Sequence, residues 1–154
     1  LKKKDDRPWV AVDVDMTVAA AWWRDHLFKS GAMREEDWTA YYADQESDPP
    51  IEEVVDLVRG LHDRGWGTVG LTARPEKYRA ATTRWAIRRD VPLDELLMRP
   101  REDRRGSAEL KVGLLMLRFP GFHGVKMVLE DRDDVVAAFR ERQVTVLQVH
   151  ARKR

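Results

Sequence analysis

Cysteine is absent from the 154 residues, which excludes a disulfide framework, a thiolate nucleophile and a zinc–thiolate centre. Histidine is scarce, and His26, His62, His123 and His150 show no metal-ligand spacing. No apolar run approaches the roughly 20 residues that cross a bilayer, and no signal-peptide pattern is visible. The expectation is a cytoplasmic chain with no membrane partner. It opens on Leu1, as a processed start, an unusual start codon or a piece of a longer polypeptide would. No G-x-x-x-x-G-K-[ST] loop occurs, so these residues carry no P-loop for kinase chemistry. Charge of one sign is lacking too: 28 Lys and Arg offset 27 Asp and Glu for a net +1. No global field therefore draws nucleic acid or membrane. The basic residues are mostly arginine, 20 against 8 lysines. Arginine is the better bidentate phosphate ligand, although GC-rich coding produces the same bias.

What is present is a strand–helix alternation in a chain long enough for a sizeable core. Residues 1–8 are polar and read as a frayed tail. Trp9–Val14 reads as a buried strand, and 18–50 as an irregular insert rich in Trp and Tyr, closed by Asp48-Pro49-Pro50. Val54, Val55, Val58 and Leu61 then share one helical face, and Gly65 stops that helix. Trp66–Leu71 is a second strand, and Pro75 opens a helix to about Asp90. A short strand near Leu96–Met98 precedes the basic loop RPREDRRG, and Ser107 is placed as the N-cap of a helix to Phe119. VKMVLE, DRDDVVAAFRERQ and VTVLQV read as strand, helix and strand. No repeat, low-complexity tract or long linker interrupts the pattern. The implied architecture is one α/β domain over 1–154, with a parallel sheet of about five strands covered on both faces.

Ligands of such sheets gather beyond the carboxyl ends of the strands. Asp13 and Asp15 close the first strand on one side of it, with Thr17 just after. Thr72 ends the second, with Arg74 beyond. Glu130 and Asp131 end a later one, and Lys111 lies on the helix before it. Two carboxylates as close as Asp13 and Asp15 repel by roughly 4 kcal/mol at an effective dielectric of about 20. A hard cation relieves that repulsion, and oxygen ligands without His or Cys suit Mg²⁺ held together with substrate phosphate. Thr72, Lys111 and Arg74 supply donors for phosphate oxygens.

DVDMT, LTAR, a lone Lys111 and LEDRDD, in that order, resemble the four motifs of the haloacid-dehalogenase (HAD) superfamily of phosphohydrolases, from about Trp9 to Val149. RPEKYRAATTRWAI, VPLDELLMRPREDRRGSAELK and LEDRDDVVAAFRERQVTVLQV resemble more narrowly the phosphatase domain of phage-type polynucleotide kinase/phosphatase. The resemblance implies a Rossmann-like HAD fold with a small cap after the first strand, at about 18–50. The strand bearing the DxD motif would lie between the Thr strand and the acidic strand. It implies a Mg²⁺-dependent polynucleotide 3′-phosphatase working through an aspartyl-phosphate. Asp13 would be nucleophile and Asp15 acid and base, with Thr72 and Lys111 fixing the phosphate. The metal would be held by Asp13, the backbone carbonyl of Asp15 and Asp131, with Glu130 in support. Arg24 stands eleven residues after Asp13, and Asp103-Arg104-Arg105 precedes Lys111 by eight. By resemblance Arg24, Arg74, Asp103 and Arg105 would bind or orient the phosphorylated end. DNA or RNA 3′-phosphate ends are the implied partners; a homo-oligomer and a kinase domain on a longer chain are compatible with it.

Three positions depart from the pattern: Met16 for the usual Gly, Glu130 for the first acidic Asp, and Ser107 where the phage-type pattern often has Asp. Trp22, Trp23, Trp38, Tyr41 and Tyr42 suit either packing of the insert on the core or stacking on bases. Arg99, Arg101, Arg104 and Arg105 suit either a polynucleotide backbone or, with Glu102 and Asp103 among them, a solvated loop. A phosphatase for small esters such as nucleotides is the alternative function. A phospho-receiver domain fits poorly, because its acidic pair precedes the phosphorylated aspartate. An inactive nucleic-acid-binding domain would not need all four motifs.

Overall fold

The computed structural model describes residues 6–28 and 32–150. Its centre is β1 (Trp9–Val12), whose four side chains are all buried. An apolar run without polar alternation is what a strand covered on both faces requires. Trp9 and Ala11 pack on one face with Val69, Leu71, Leu115, Phe119, Val128 and Phe139. Val10 and Val12 pack on the other with Val55, Val58, Trp85 and Leu129. β1 pairs in parallel with β2 (Gly67–Pro75) on one side and β4 (Val125–Glu130) on the other. β3 (Glu95–Arg99) and β5 (Val146–Gln148) are the edges, in the order β3-β2-β1-β4-β5. The expected five-stranded parallel sheet is present, with β1 between the Thr strand and the acidic strand.

Helices α2 (Glu52–Asp63) and α3 (Arg79–Arg88) cover the Val10 face through Val55, Val58, Trp85 and Ala86. Helices α4 (Ser107–Arg118) and α5 (Asp133–Arg140) cover the Trp9 face through Val112, Leu115, Val135 and Phe139. α2 starts on Glu52 and Glu53, which favour the positive end of its dipole. Its exit turns at Gly65, where φ is +85°.

Residues 18–50 leave and rejoin the sheet through a clamp at their base. Ile51 N donates to Val18 O at 2.8 Å, and Ala20 N to Pro49 O at 2.7 Å. The insert is not wholly irregular: α1 (Glu35–Ala43) lies within it. Trp38, Tyr41 and Tyr42 sit there at i, i+3 and i+4, the one helical signal in the segment. The Trp38 and Tyr42 rings stack at 5.9 Å, and Tyr42 meets Tyr78 of the core at 4.8 Å.

Other boundaries differ from expectation. β1 stops at Val12 because the Val14 carbonyl is taken by the N–H groups of Thr17, Val18 and Ala19, closing a tight loop. Pro75 ends a strand instead of opening a helix, pairing in register with Arg99. Its fixed φ suits either role, and here ψ is 143°. A single turn over Glu76–Tyr78 intervenes before α3. Ser107 is the first residue of α4 and Gly106 the cap, with no side-chain capping bond. Residues 1–5 of the expected frayed tail lie outside the described residues, while the Pro8 carbonyl accepts from Gly67 N at 2.8 Å.

Gly67 is needed by Trp9: a Cβ there would fall 2.4 Å from the buried indole. Gly67→Ala is expected to destabilise the fold by about 1–3 kcal/mol, the cost of overpacking a core, measured by denaturant or thermal unfolding.

Candidate active site

Asp13 follows directly on β1, tied to the sheet by its N–H to Leu129 O at 3.0 Å. Its side chain is 5% exposed. Thr17 Oγ1 donates to Asp13 Oδ2 at 3.0 Å, and Lys111 Nζ to Oδ1 at 2.7 Å. Both carboxylate oxygens are thereby oriented. Lys111 reaches in from α4 and also donates to Glu130 Oε2 at 2.6 Å. The other Glu130 oxygen accepts the backbone N–H groups of Asp131 and Arg132, both at 3.1 Å. Glu130 therefore holds the ammonium in place and shapes the loop beyond β4.

Asp13, Glu130 and Asp131 bring one oxygen each to within 4.8 Å of one another. At that spacing two carboxylates repel by about 3–4 kcal/mol at an effective dielectric of 20. Burial, then Glu130, pushes the Asp13 carboxyl well above its ordinary range against the pull of Lys111. Burial and Glu130 likewise push Asp131 up to about 6. Burial acts to lower the Lys111 pKa, but Asp13 and Glu130 outweigh it and hold the ammonium charged. Asp131 Oδ1 is buried without any hydrogen-bond partner. Three carboxylates facing one ammonium, with an orphaned oxygen among them, fit a hard divalent cation.

Asp15 has the opposite surroundings. Arg74 forks onto it, Nε to Oδ2 at 2.9 Å and Nη2 to Oδ1 at 2.7 Å, while Arg24 Nη2 reaches Oδ1 at 3.3 Å. Burial would raise its pKa, but Arg74 and then Arg24 hold the carboxyl below its ordinary range. Arg24 and Arg74 are themselves 0% exposed. The remaining Arg74 hydrogens go to Gln45 Oε1, Thr82 Oγ1 and Asp48 Oδ2. Both arginines, expected to bind or orient the phosphorylated end, contact Asp15. Thr72 is buried beside them, its hydroxyl accepting from Arg74 N at 3.2 Å.

The site opens into a cleft of about 1330 Å³. Phe28, Trp38 and Tyr41 of the insert line one side of it, and the loop from Arg99 to Gly106 lines another. Phe28 is 55% exposed.

Residues 8–153 match a family model described as the polynucleotide kinase PNKP phosphatase domain. This chain belongs to that family. No curated protein matches the sequence significantly. A solved Pnkp1/Rnl/Hen1 complex is similar at 22% identity and a TM-score of 0.74, over 97% of this chain and 48% of that one. This chain thus spans about half the length of that chain. A haloacid dehalogenase-like hydrolase from Streptococcus pneumoniae shares 12% identity at a TM-score of 0.64, over 93% of this chain and 84% of that one. A class C acid phosphatase from Bacillus anthracis shares 16% at 0.62, over 87% and 55%. These likenesses are of fold alone.

Within this PNKP phosphatase domain, the structure gathers Asp13, Asp15, Thr72, Arg74, Lys111 and Asp131 at one end of the cleft. Asp103 and Arg105 line the cleft farther along the chain and pair with each other, Nη2 to Oδ2 at 2.5 Å. That bonding to Arg105 brings the Asp103 carboxyl down to about 2. Asp48 and Gln45 were not among the expected site residues. Asp48 reads as part of a turn before two prolines, and nothing in its spacing links it to Arg24 or Arg74.

Met16, in the usual Gly position, has φ of +64°. A left-handed conformation costs an ordinary side chain about 1–2 kcal/mol and a β-branched one more. Met16→Gly is expected to be neutral or stabilising by up to about 1 kcal/mol, with Met16→Val clearly destabilising, in parallel thermal melts.

Proposed function

We propose that the domain is a Mg²⁺-dependent phosphomonoesterase that removes 3′-phosphate from polynucleotide ends through an aspartyl-phosphate on Asp13. One observation carries the reading: a buried carboxylate aimed by Thr17 and Lys111 stands beside an all-carboxylate cluster, at the end of a cleft with an aromatic and an arginine side. Asp13, Asp131 and the Asp15 backbone carbonyl would hold the ion, with Glu130 in support through Lys111 and the loop. When bound, the ion neutralises phosphate charge and favours attack by an anionic carboxylate.

Asp13 attacks phosphorus as the bond to the sugar 3′-oxygen breaks. Asp15 hands that departing oxygen a proton. It then takes a proton from water, which attacks phosphorus, breaks the Asp13 acyl-phosphate bond and releases inorganic phosphate. Asp15 rests as a carboxylate, the form for the second half. The negative phosphate arriving beside it favours the protonated form for the first. Lys111 and Thr72 hold the phosphoryl oxygens, and Lys111 is placed to let go of Asp13 as the phosphate takes over its charge.

Two features support a polymer over a small ester. Among its described residues the insert offers a nine-residue α-helix and two short 3-10 segments, Ala21–Leu27 and Gln45–Ser47, too little to close over the site. The cleft is also lined by Arg99, Arg101, Arg104 and Arg105, of which Arg101 has a side chain 93% exposed. Burial and the neighbouring Arg105 and Arg104 lower the Arg99 pKa despite Asp103, so a phosphate there would relieve crowded positive charge. Exposed Phe28 offers a base a ring face.

Matched oligonucleotides with a 3′- or a 5′-phosphate test the reading. Phosphate release from the 3′ form alone, lost in EDTA and in Asp13→Asn, is expected; normal turnover by Asp13→Asn refutes the covalent mechanism. Phe28→Ala should raise the oligonucleotide KM about 5- to 150-fold, the equivalent of 1–3 kcal/mol of base stacking, and spare small phosphate esters. Arg101→Ala with Arg104→Ala should flatten the dependence of log KM on log salt by about 0.7 per lost contact to a single strand. Equal effects on small esters would favour a small-molecule phosphatase.

A further inference from the structure

Asp48 lies at the return end of the insert, with its side chain 0% exposed. It is the second carboxylate in a buried group of four charges. Its Oδ1 accepts from Arg24 Nε at 2.8 Å and from Trp23 Nε1 at 2.9 Å. Its Oδ2 accepts from Arg24 Nη2 at 2.7 Å and from Arg74 Nη2 at 3.2 Å. Its backbone is fixed as well, the carbonyl accepting from the buried Trp85 indole at 2.8 Å. Arg24 is thereby turned towards Asp48 and touches Asp15 only at 3.3 Å. Arg74 alone makes the close fork to Asp15. The Asp15 side chain is 24% exposed, whereas Asp48 never reaches the cleft.

We propose that Asp48 is a positioning residue: by engaging Arg24 it leaves Asp15 to one arginine, in the orientation that faces a leaving oxygen. The inference rests on Asp15 being the acid of the proposed reaction. If Asp48 loses its charge, two buried guanidinium groups face a single carboxylate. Arg24 then swings its fork from Asp48 towards Asp15, which becomes clamped between two cations and is withdrawn from the cleft. The insert thus supplies, from a place no substrate touches, the counter-ion for the arginine that would otherwise clamp the catalytic acid. Trp23 and Trp85 keep that counter-ion in register with the core.

Leaving-group chemistry separates this role from a merely structural one. A sugar or glycerol oxygen needs a proton to depart, whereas nitrophenolate does not. Asp48→Asn, close in shape, is assayed on a 3′-phosphorylated oligonucleotide, on glycerol 2-phosphate and on nitrophenyl phosphate, with unfolding followed alongside. The expected result is a fall of about tenfold or more in the single-turnover release of the alcohol from the two alkyl esters, with the first-turnover burst of nitrophenolate within about twofold, while the steady-state rate, which needs Asp15 again as base, falls on all three. An equal loss of that first step on all three, or none on any, overturns the proposal. Should Asp48→Asn fail to fold, Asp48→Asn with Arg24→Gln removes one charge of each sign and restores a single Arg74–Asp15 pair. That double variant should recover the wild-type ratio of alkyl to aryl rates, and a persisting alkyl-selective loss overturns the proposal. Wild-type protein that cleaves both small esters but not the oligonucleotide would overturn the polynucleotide reading, while the alkyl–aryl comparison still decides the role of Asp48.

Discussion

Lys111 Nζ sits between Asp13 and Glu130, with an exposure of 2%. Around this one ammonium the carboxyl ends of β1 and β4 can lie side by side with three acids between them. A buried charge without a partner costs several kcal/mol, so each member of the group depends on the others. Glu130 uses its second oxygen on the backbone of the following loop, which fixes where Asp131 stands. Asp13 uses its own on Thr17, which fixes the loop after β1. The geometry of two separate loops is therefore set from one nitrogen atom, carried on a helix that packs over β2 and β3.

The parts of this arrangement that were visible in the sequence are those tied to periodicity or to strand ends. WVAV has no polar alternation and could only be a central strand, and the acids after it had to fall at the ligand-binding edge. Boundaries were less legible where one residue serves two conformations. Pro75 fits a strand end as well as a helix start, and β-sheet pairing with Arg99 decided between them. Ser107 has the chemistry of a cap, yet Gly106 took that position and left the hydroxyl without a capping bond. α1 was hidden because its buried face consists of aromatics meeting other aromatics, so no aliphatic stripe marks it.

Arg24 and Arg74 show a different limit. Their spacing from the motifs was readable, but not what they touch, because the partner Asp48 is 24 and 26 residues away. Asp48 stands before two prolines, and that context alone describes a turn. Only the clamp at the base of the insert, through Ile51 and Ala20, brings the carboxylate under the arginines. The insert is thus joined to the sheet in two ways: by backbone bonds at its ends and by a buried ionic group inside them. An insert fastened like this acts as part of the site's wall, and its aromatic side remains turned to the cleft.

Asp13 and Asp15 are two residues apart, and their surroundings pull them in opposite directions. Asp13 lies among other carboxylates in a buried place, which raises its affinity for a proton or a cation. Asp15 lies against two guanidinium groups, which lower it. Environments that separate two like groups assign them different work. In the proposed reaction, the group that favours positive charge suits the place where a cation and a phosphate would meet, and its carboxylate would attack phosphorus there. The other, ionised at rest and about a quarter exposed, suits proton exchange with the leaving oxygen and with water. Exchanging the two roles would require exchanging Lys111 and Arg74, and Arg74 is carried on β2 beside β1 whereas Lys111 is carried on α4. The direction of the chemistry is therefore set by the strand order itself.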